Sequence, residues 1–351
     1  MSPRLTLALA AFAALAALAV PTGVVAQARS DGQHDFDFEI GRWKVHLERL
    51  VHPLTHSNTW TTLDGTSVVR PVWNGLANLG ELKVDGPGGH IEGLSFRLYD
   101  PRARQWRIHW ANSRDGVLGP AMVGSFSNGR GEFYDQEDFN GRAIFVRFIF
   151  SGLTEGSFKI EQAFSDDGGK SWETNWITTF TKDASAPPPR TSATLGDATD
   201  AFAFETGTWT MHERRLKDPF GNADWIEKDG STHIVDPVWS GRASIGQLQL
   251  PGATPAFAGS LLRTFNPTTK QWSMYWADRE TGRVAPPLIG ALENGRATFY
   301  AQTDVDGVTA LVRLVYSDIT RASFRTEQAY SLDGGIHWTP YDDVVFTRSA
   351  P

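Results

Sequence analysis

Apolar and polar residues alternate with a period of two along most of the chain, which is the pattern of half-buried β-strands. The segments 105–111, 143–151 and 157–165 show it well and are rich in Phe, Val, Ile and Trp. Turn sequences separate such segments, including Asn128-Gly129, Asn140-Gly141 and Asn294-Gly295. The pattern predicts an all-β fold with about ten short strands in each half of the chain.

The chain also contains an internal repeat with a spacing of 166 residues. The recurring residues are mostly aromatic, charged or glycine: Phe36 and Phe202, Glu39 and Glu205, Gly41 and Gly207, Trp43 and Trp209, Arg97 and Arg263, Trp172 and Trp338. The repeat predicts two domains, 34–183 and 198–348, joined by a Pro-rich linker at 184–197. Short strands with short turns favour an antiparallel meander, and closing it into a barrel removes its edges.

The first 28 residues have the order of a secretory signal peptide. Arg4 precedes an apolar run over 5–20, and Ala26-Gln27-Ala28 follows as a cleavage site. The run is too short to cross a bilayer comfortably. We therefore expect a mature bacterial protein that begins near Arg29, is periplasmic or secreted, and does not insert into a membrane.

Composition excludes several classes of site. The chain has no cysteine, which rules out disulfides, thiolate metal sites and a cysteine nucleophile. Without Arg4, the 33 basic residues become 32 against 40 acidic ones, a net charge of −8. This balance disfavours nucleic acid as a partner. The 13 Trp and 21 Phe predict aromatic-rich interiors, and the oligomeric state stays open.

Gly41-x-Trp43 and Gly207-x-Trp209 begin the first predicted strand of each copy. This G-x-W resembles the first strand of the calycin superfamily, the lipocalin and fatty-acid-binding type of barrel. The chain more closely resembles a bacterial calycin-like domain of unknown function in the segments 36–43, 100–101, 128–133 and 165–172. The resemblance covers nearly all of both copies and implies two calycin-like antiparallel barrels, each filled by side chains or hollowed into a pocket.

Each copy ends in an S-x-D-x-G-x-x-W sequence, at 165–172 and 331–338. It matches the Asp-box of sialidases, so a glycosidase propeller is one interpretation. Propellers need about four or more blades of roughly 40 to 50 residues, whereas this box recurs once. We expect a structural hairpin in which Asp accepts turn amide hydrogens and Gly takes a positive φ.

Arg97 and Arg263 are candidate ligand-binding residues, together with Trp110 and Trp276 on the next predicted strand. An Arg beside an aromatic wall would suit a carboxylate-bearing amphiphile, as in fatty-acid-type barrels. The alternative is an Arg stacked over a surface Trp. After Trp110 the copies diverge, and if that loop borders a pocket the two barrels need not accept the same molecule.

Two Arg–Glu pairs flank equivalent predicted hairpins. Folding the hairpin symmetrically around 151–157 places Arg147 opposite Glu161, and Arg313 opposite Glu327 in the second copy. On the inner face such a pair would anchor a ligand or act as an acid–base pair, and on the outer face it would be a minor ion pair. Both faces carry apolar residues, so periodicity does not decide between them.

His46 and His212 lie three residues after the first-strand Trp of each copy, on the opposite face if the strand is regular. Arg49 and Arg215 then share the Trp face. A histidine could act as a general base or as a haem ligand. The other histidines do not recur at the repeat spacing, so we expect no metal and no cofactor.

The leading functional hypothesis is an exported protein that binds a small apolar or amphipathic molecule in a calycin-type barrel. One alternative is a cofactor-free enzyme of the isomerase, hydratase or cyclase type that uses His46, Arg97 or Glu161 in the same pocket. Another is a structural or interaction module with filled barrels, which a broad apolar surface patch would indicate.

Overall fold

The computed structural model of the protein describes residues 31–184, 201–221, 223–252, 257–305 and 307–349. The predicted signal peptide, and all of the predicted linker except Ala184, lie outside these residues. Among the described residues, none of the helices has the length and apolar character needed to cross a bilayer.

Ten antiparallel strands form a closed barrel in the first copy, here called barrel 1. They are β1 (Gly41–Leu50), β2 (Trp60–Val72), β3 (Ala77–Gly86), β4 (Gly89–Asp100), β5 (Gln105–Asn112), β6 (Met122–Ser127), β7 (Arg130–Phe139), β8 (Arg142–Ser151), β9 (Ser157–Ser165) and β10 (Glu173–Lys182). Each strand pairs with its neighbours in sequence, and β1 pairs with β10. The closure leaves no free sheet edge.

The second copy forms barrel 2 in the same way. Its strands are β11 (Gly207–Leu216), β12 (Trp225–Val238), β13 (Ala243–Gln249), β14 (Phe257–Asn266), β15 (Gln271–Asp278), β16 (Arg283–Val284), β17 (Leu288–Glu293), β18 (Arg296–Val305), β19 (Val308–Ser317), β20 (Ser323–Ser331) and β21 (Thr339–Arg348). The short β16 pairs only with β15, and pairing of β14 with β15 and of β11 with β21 closes the ring. The predicted all-β fold of two barrels with about ten strands each is confirmed.

A short 3₁₀ helix before the first strand closes one end of each barrel, Asp37–Glu39 in barrel 1 and Ala203–Glu205 in barrel 2. The G-x-W tryptophans hold these helices in place. Trp43 Nε1 donates to the carbonyl oxygen of Glu39 at 2.7 Å, and Trp209 Nε1 donates to that of Glu205 at 2.6 Å. Both tryptophans are fully buried, so each joins the first strand to the helix that precedes it.

The two barrels contact each other through the outer faces of β3–β5 and β13–β15. One apolar cluster spans both repeats and includes Trp73 and Trp239. The contact has an approximate two-fold symmetry: the Trp73 amide donates to Gln247 Oε1 at 3.2 Å, and the Trp239 amide donates to Glu81 Oε2 at 3.0 Å. This contact explains why β4 is buried on both faces from residue 93 to residue 100.

The S-x-D-x-G-x-x-W sequences form the hairpin turns between β9 and β10 and between β20 and β21, as expected. Asp167 Oδ1 accepts the amides of Lys170 and Ser171, each at 3.0 Å. These hydrogen bonds lower the pKa of the Asp167 carboxyl. The glycosidase propeller interpretation is wrong, because the sheets close as barrels and contain no radial blades in the described residues.

Candidate functional site

A cavity of about 320 Å³ lies inside barrel 1 and is called the barrel 1 cavity below. This volume is near the lower end of the range of about 300–1,000 Å³ that small-molecule sites occupy. Its wall is mainly apolar and is formed by Leu82, Ile91, Ile108, Met122, Phe148, Phe150, Ile160 and Phe180. Trp110, which is 38% exposed, and the half-buried Trp176 also line it. These features describe a small, largely apolar compartment that opens to solvent.

A buried ion pair borders the closed end of the cavity. Glu39, from the 3₁₀ helix, is 1% exposed, and Arg97, from β4, is 6% exposed. Arg97 Nη1 lies 2.9 Å from Glu39 Oε2 and donates to Asn78 Oδ1 at 2.8 Å. Burial raises the pKa of the Glu39 carboxyl, and the adjacent Arg97 guanidinium opposes this shift. The cavity therefore has a polar inner end whose two charges cancel.

Hydrogen-bonding capacity is left over at this inner end. Ser95 Oγ and Arg97 Nε are buried and have no hydrogen-bond partner among the described residues. Ser95 and Arg97 both line the cavity. Buried polar atoms in proteins are nearly always paired with protein, water or ligand. A molecule in the cavity would thus find donors at its inner end.

Three of the predicted ligand-binding residues of the first copy line the barrel 1 cavity: Arg49, Arg97 and Trp110. Arg97 does not stack over a surface tryptophan, because its guanidinium lies 5.2 Å from the ring centroid of the buried Phe36. Trp110 lies instead over Gly93, where a Cβ atom would clash with the indole. That these residues bind a ligand stays a prediction.

His46 faces the outside of barrel 1, as strand alternation predicts, and it therefore does not line the cavity. Its Nδ1 is 2.8 Å from Asp64 Oδ1 on β2, and this hydrogen bond raises the pKa of His46. His212 is placed in the same way, with Nδ1 2.6 Å from Asp229 Oδ1. A pocket enzyme that uses His46 as its base is therefore excluded by geometry.

The predicted pairing of Arg147 with Glu161 is wrong by two residues. Arg147 pairs with Ala163, and Glu161 pairs with Ile149. The hairpin is asymmetric because β9 begins with two residues, 157 and 158, that extend past β8 and pair with β10 instead. Both charged side chains lie on the outer face, opposite to that of Phe148, so neither lines the cavity.

The outer-face arginines stack on the tryptophans of the two terminal hairpins. Arg147 lies 4.5 Å from the Trp172 ring centroid, and Arg313 lies 4.8 Å from that of Trp338. In barrel 2, Arg313 pairs with Ala329, and its Nη2 is 3.7 Å from Glu327 Oε1 in a diagonal contact. The residues of the two predicted Arg–Glu pairs thus form surface contacts and do not line the interior.

Replacing Glu161 by Gln is expected to change the free energy of unfolding by less than about 0.5 kcal/mol, because outer-face ion pairs contribute little. Its carboxylate contacts Lys159 Nζ at 2.9 Å on the outer face. Urea unfolding of the variant measures the change, and Glu327→Gln provides the matched substitution in barrel 2. A loss above about 1 kcal/mol would contradict the outward placement of these carboxylates.

The interior of barrel 2 differs from that of barrel 1 at equivalent positions. His233 stands where barrel 1 has Ser67, and Tyr316 stands where it has Phe150. Both are buried, at 7% and 3% exposure. Arg263 contacts Glu205, as Arg97 contacts Glu39, and Arg263 Nη2 donates to Tyr316 Oη at 3.2 Å. Burial lowers the pKa of His233 to about 3, with a further contribution from the Arg263 charge.

The His233 ring occupies space that is open in barrel 1. Its centroid is 5.8 Å from that of Phe346, and a Cβ atom at Gly246 would clash with its Nε2. The equivalent residues of barrel 1, Ser67, Gly80 and Phe180, line the barrel 1 cavity. The two interiors are therefore not interchangeable, although the barrels share one fold.

The remaining predicted residues of the second copy are Arg215 and Trp276. Arg215 pairs across β11 and β21 with Asp342, which is 8% exposed. Trp276 lies over Gly259, as Trp110 lies over Gly93.

Among the described residues, no three His, Asp or Glu side chains are grouped so that they could hold a metal ion.

The loop after β5, where the copies diverge, lines the barrel 1 cavity with Arg114, Gly119 and Pro120, next to Asn112 at the end of β5. Hydrogen bonds join this loop to barrel 2. The Leu118 amide donates to Tyr275 Oη at 3.1 Å, and Thr264 Oγ1 donates to the carbonyl oxygen of Gly116. Gly116 has φ +64°, and a Cβ there would clash with the backbone of Phe265. The mouth of one barrel is thus built partly on the other.

A scan against protein-family models and a search of curated proteins found no match for this chain. Among solved structures, it is similar to a protein of unknown function of the DUF3598 family from Nostoc punctiforme PCC 73102, at 12% identity and a TM-score of 0.26, over 91% of this chain and 99% of that chain. It is also similar to a mutant of transferrin binding protein B from Haemophilus parasuis Hp5, at 9% identity and a TM-score of 0.21, over 88% and 76% of the two chains. The isotype 1 transferrin binding protein B of serogroup B Neisseria meningitidis has 9% identity and a TM-score of 0.18, over 88% and 76%. Similarity at this level carries no argument about function.

Proposed function

We propose that the protein binds a small amphipathic molecule in the barrel 1 cavity. The observation that carries this proposal is the combination of an apolar wall with an inner end formed by Ser95, Arg97 and Glu39. Apolar walls provide most of the binding free energy in such sites, and a few convergent polar groups fix the orientation of the ligand. Trp110 and the exposed Arg114 and Glu137 would then border its outer end.

Barrel 2 supports the proposal by contrast. The same fold, with the same buried Glu–Arg pair, carries the large side chains His233 and Tyr316 where the barrel 1 cavity has Ser67 and Phe150. The fold itself therefore does not need the space beside Ser67 to be open. We therefore propose that barrel 1 binds the ligand and that barrel 2 acts as a scaffold.

Two further parts of the proposal rest on the sequence. We propose that both barrels belong to the calycin type, on the strength of the G-x-W that begins each first strand. We also propose that the chain is exported to the periplasm or the medium after removal of its first 28 residues.

Titration of the protein with the series n-butanol to n-octanol tests the binding proposal. We expect the dissociation constant to fall about fourfold for each added methylene until the cavity is full, since burying one methylene contributes about 0.8 kcal/mol. Tryptophan fluorescence measures the binding, because Trp110 and Trp176 line the cavity.

The variant Ser67→His provides the critical comparison, because His233 shows that a histidine fits at the equivalent position of the same fold. We expect it to weaken octanol binding at least about tenfold, since it fills the space of the ligand. The matched control is Thr66→His, which places the same side chain one residue earlier and on the opposite face of β2. Affinities that are independent of chain length, or equal in the two variants, would refute the proposal.

A further inference from the structure

Barrel 2 shows which groups fill the space that is open in barrel 1. In both repeats a buried Glu–Arg pair borders the interior. In barrel 2 the hydroxyl of Tyr316 completes it by accepting a hydrogen bond from Arg263. The equivalent Phe150 has no hydroxyl, and Glu39, Arg97 and Phe150 all line the cavity. The position of that oxygen is therefore open to a ligand in barrel 1.

A second contact concerns the shape of the ligand. The planar imidazole of His233 lies beside Phe346 and against Gly246, which has no side chain that could collide with it. In barrel 1 the equivalent Phe180 and Gly80 are retained, and Ser67 replaces the histidine. In barrel 1 the Arg97 guanidinium also lies beside Gly80, with Nη1 3.3 Å from the position of a Cβ there. A flat ring brought by a ligand would therefore lie next to this guanidinium, with Phe180 as its aromatic neighbour.

The charge at the inner end selects against an anion. Glu39 already neutralises Arg97, and both are almost completely buried. A carboxylate placed there would add an uncompensated negative charge beside the buried Glu39 carboxylate, which is costly. A neutral oxygen avoids this cost and still pairs with the guanidinium, as the hydroxyl of Tyr316 does. Burial raises the pKa of that hydroxyl, so it stays protonated.

We propose that the ligand is a neutral hydroxyaromatic compound of the phenol class. Its ring lies between Gly80 and Phe180, and its oxygen takes the place beside Arg97 that the Tyr316 hydroxyl takes beside Arg263. This inference rests on the proposed function, since it assigns a chemical class and an orientation to the molecule in the barrel 1 cavity. The polar end of the ligand enters first.

Calorimetric titration of the full chain at pH 7 with three probes of similar shape tests the inference. The probes are p-cresol, toluene and p-toluate. p-Cresol is the analogue of the tyrosine side chain, toluene lacks its hydroxyl, and p-toluate carries a carboxylate in place of the hydroxyl. We expect p-cresol to bind at least about tenfold more tightly than toluene, because a hydrogen bond to a charged group contributes that much or more. We expect p-toluate to bind at least about tenfold more weakly than p-cresol.

The variant Phe150→Tyr supplies the hydroxyl from the protein, as barrel 2 does. We expect it to abolish the preference for p-cresol over toluene, because the oxygen position is then occupied. Tyr316→Phe makes the reverse change in barrel 2 and should leave the affinity of barrel 1 for p-cresol unchanged. Circular dichroism checks that each variant folds, and Ser67→His serves as an independent variant that blocks the ring position.

The outcomes separate the two proposals. Equal affinities for p-cresol and toluene, with both lost in Ser67→His, would overturn the phenol assignment and leave small-molecule binding in place. Tightest binding of p-toluate would show that the ligand is anionic and would also overturn it. If neither the three probes nor the alcohols bind, the proposed function itself fails.

Discussion

The variant Glu205→Gln is expected to lose about 3–5 kcal/mol in the free energy of unfolding. Glu205 and Arg263 are 0% and 1% exposed and contact each other below the interior of barrel 2. Glutamine has nearly the same shape as glutamate, so packing is retained while the charge is lost. The guanidinium of Arg263 would then be a buried cation beside neutral groups, namely the new amide and the hydroxyls of Tyr316 and Ser244.

Urea unfolding combined with hydrogen exchange on peptides from each barrel measures this loss, because a chain of two domains need not unfold in one step. The double variant Glu205→Gln, Arg263→Met should recover most of it, since no unpaired charge remains. In barrel 1, Glu39→Gln should cost less, because Arg97 borders a cavity that water can enter. A loss below about 1 kcal/mol for Glu205→Gln, or no recovery in the double variant, would contradict this account.

The second large effect is a dependence of stability on pH that comes from Asp342. Burial raises the pKa of this carboxyl to about 7, and the nearby Glu213 charge adds to the shift while Arg215 opposes it. The folded protein therefore holds a proton that the unfolded chain releases near pH 4. The resulting stabilisation is present at low pH and is lost as the pH rises to about 7, at about 1.4 kcal/mol per pH unit. Between pH 5 and pH 7 this amounts to about 3 kcal/mol.

The variant Asp342→Asn isolates this contribution. We expect it to be more stable relative to the natural sequence at pH 8 than at pH 5 by about 3 kcal/mol, measured as a difference of urea unfolding free energies. The difference is needed because His233, with its lowered pKa, gives the opposite slope below about pH 6.5. Glu293→Gln, which removes an exposed carboxylate from the same barrel, is the control. A stability difference that is the same at both pH values would rule out the buried, protonated Asp342.

The period of two and the 166-residue repeat were sufficient to predict the strands and the two barrels, because both signals are local or self-consistent along the chain. The hairpin register was not predictable from loop symmetry. The number of residues by which β9 extends past β8 depends on its pairing with β10, which is a tertiary contact. That shift of two residues decides the partners of Arg147 and Glu161 but leaves their face unchanged.

The candidate site was predicted only in part. Arg49, Arg97 and Trp110 were identified because they recur in the repeat, and all three line the cavity. Glu39 was missed, although an acidic residue that recurs within an apolar F-x-F-E run is a usable signal of a buried partner. The open cavity itself depends on Ser67, which is equivalent to His233 of the second repeat. The effect of that difference on the interior can be recognised only once both side chains are known to point inward.

The contact of the post-β5 loop with Tyr275 and Thr264 has a consequence for exchange with solvent. A loop held by hydrogen bonds to a neighbouring domain is less free to swing aside than an unattached lid, so we expect the opening of barrel 1 to keep its width. Molecules would be sorted by cross-section before they reach any polar group inside. The second repeat thus sets the size limit for a compartment to which it contributes no inner wall.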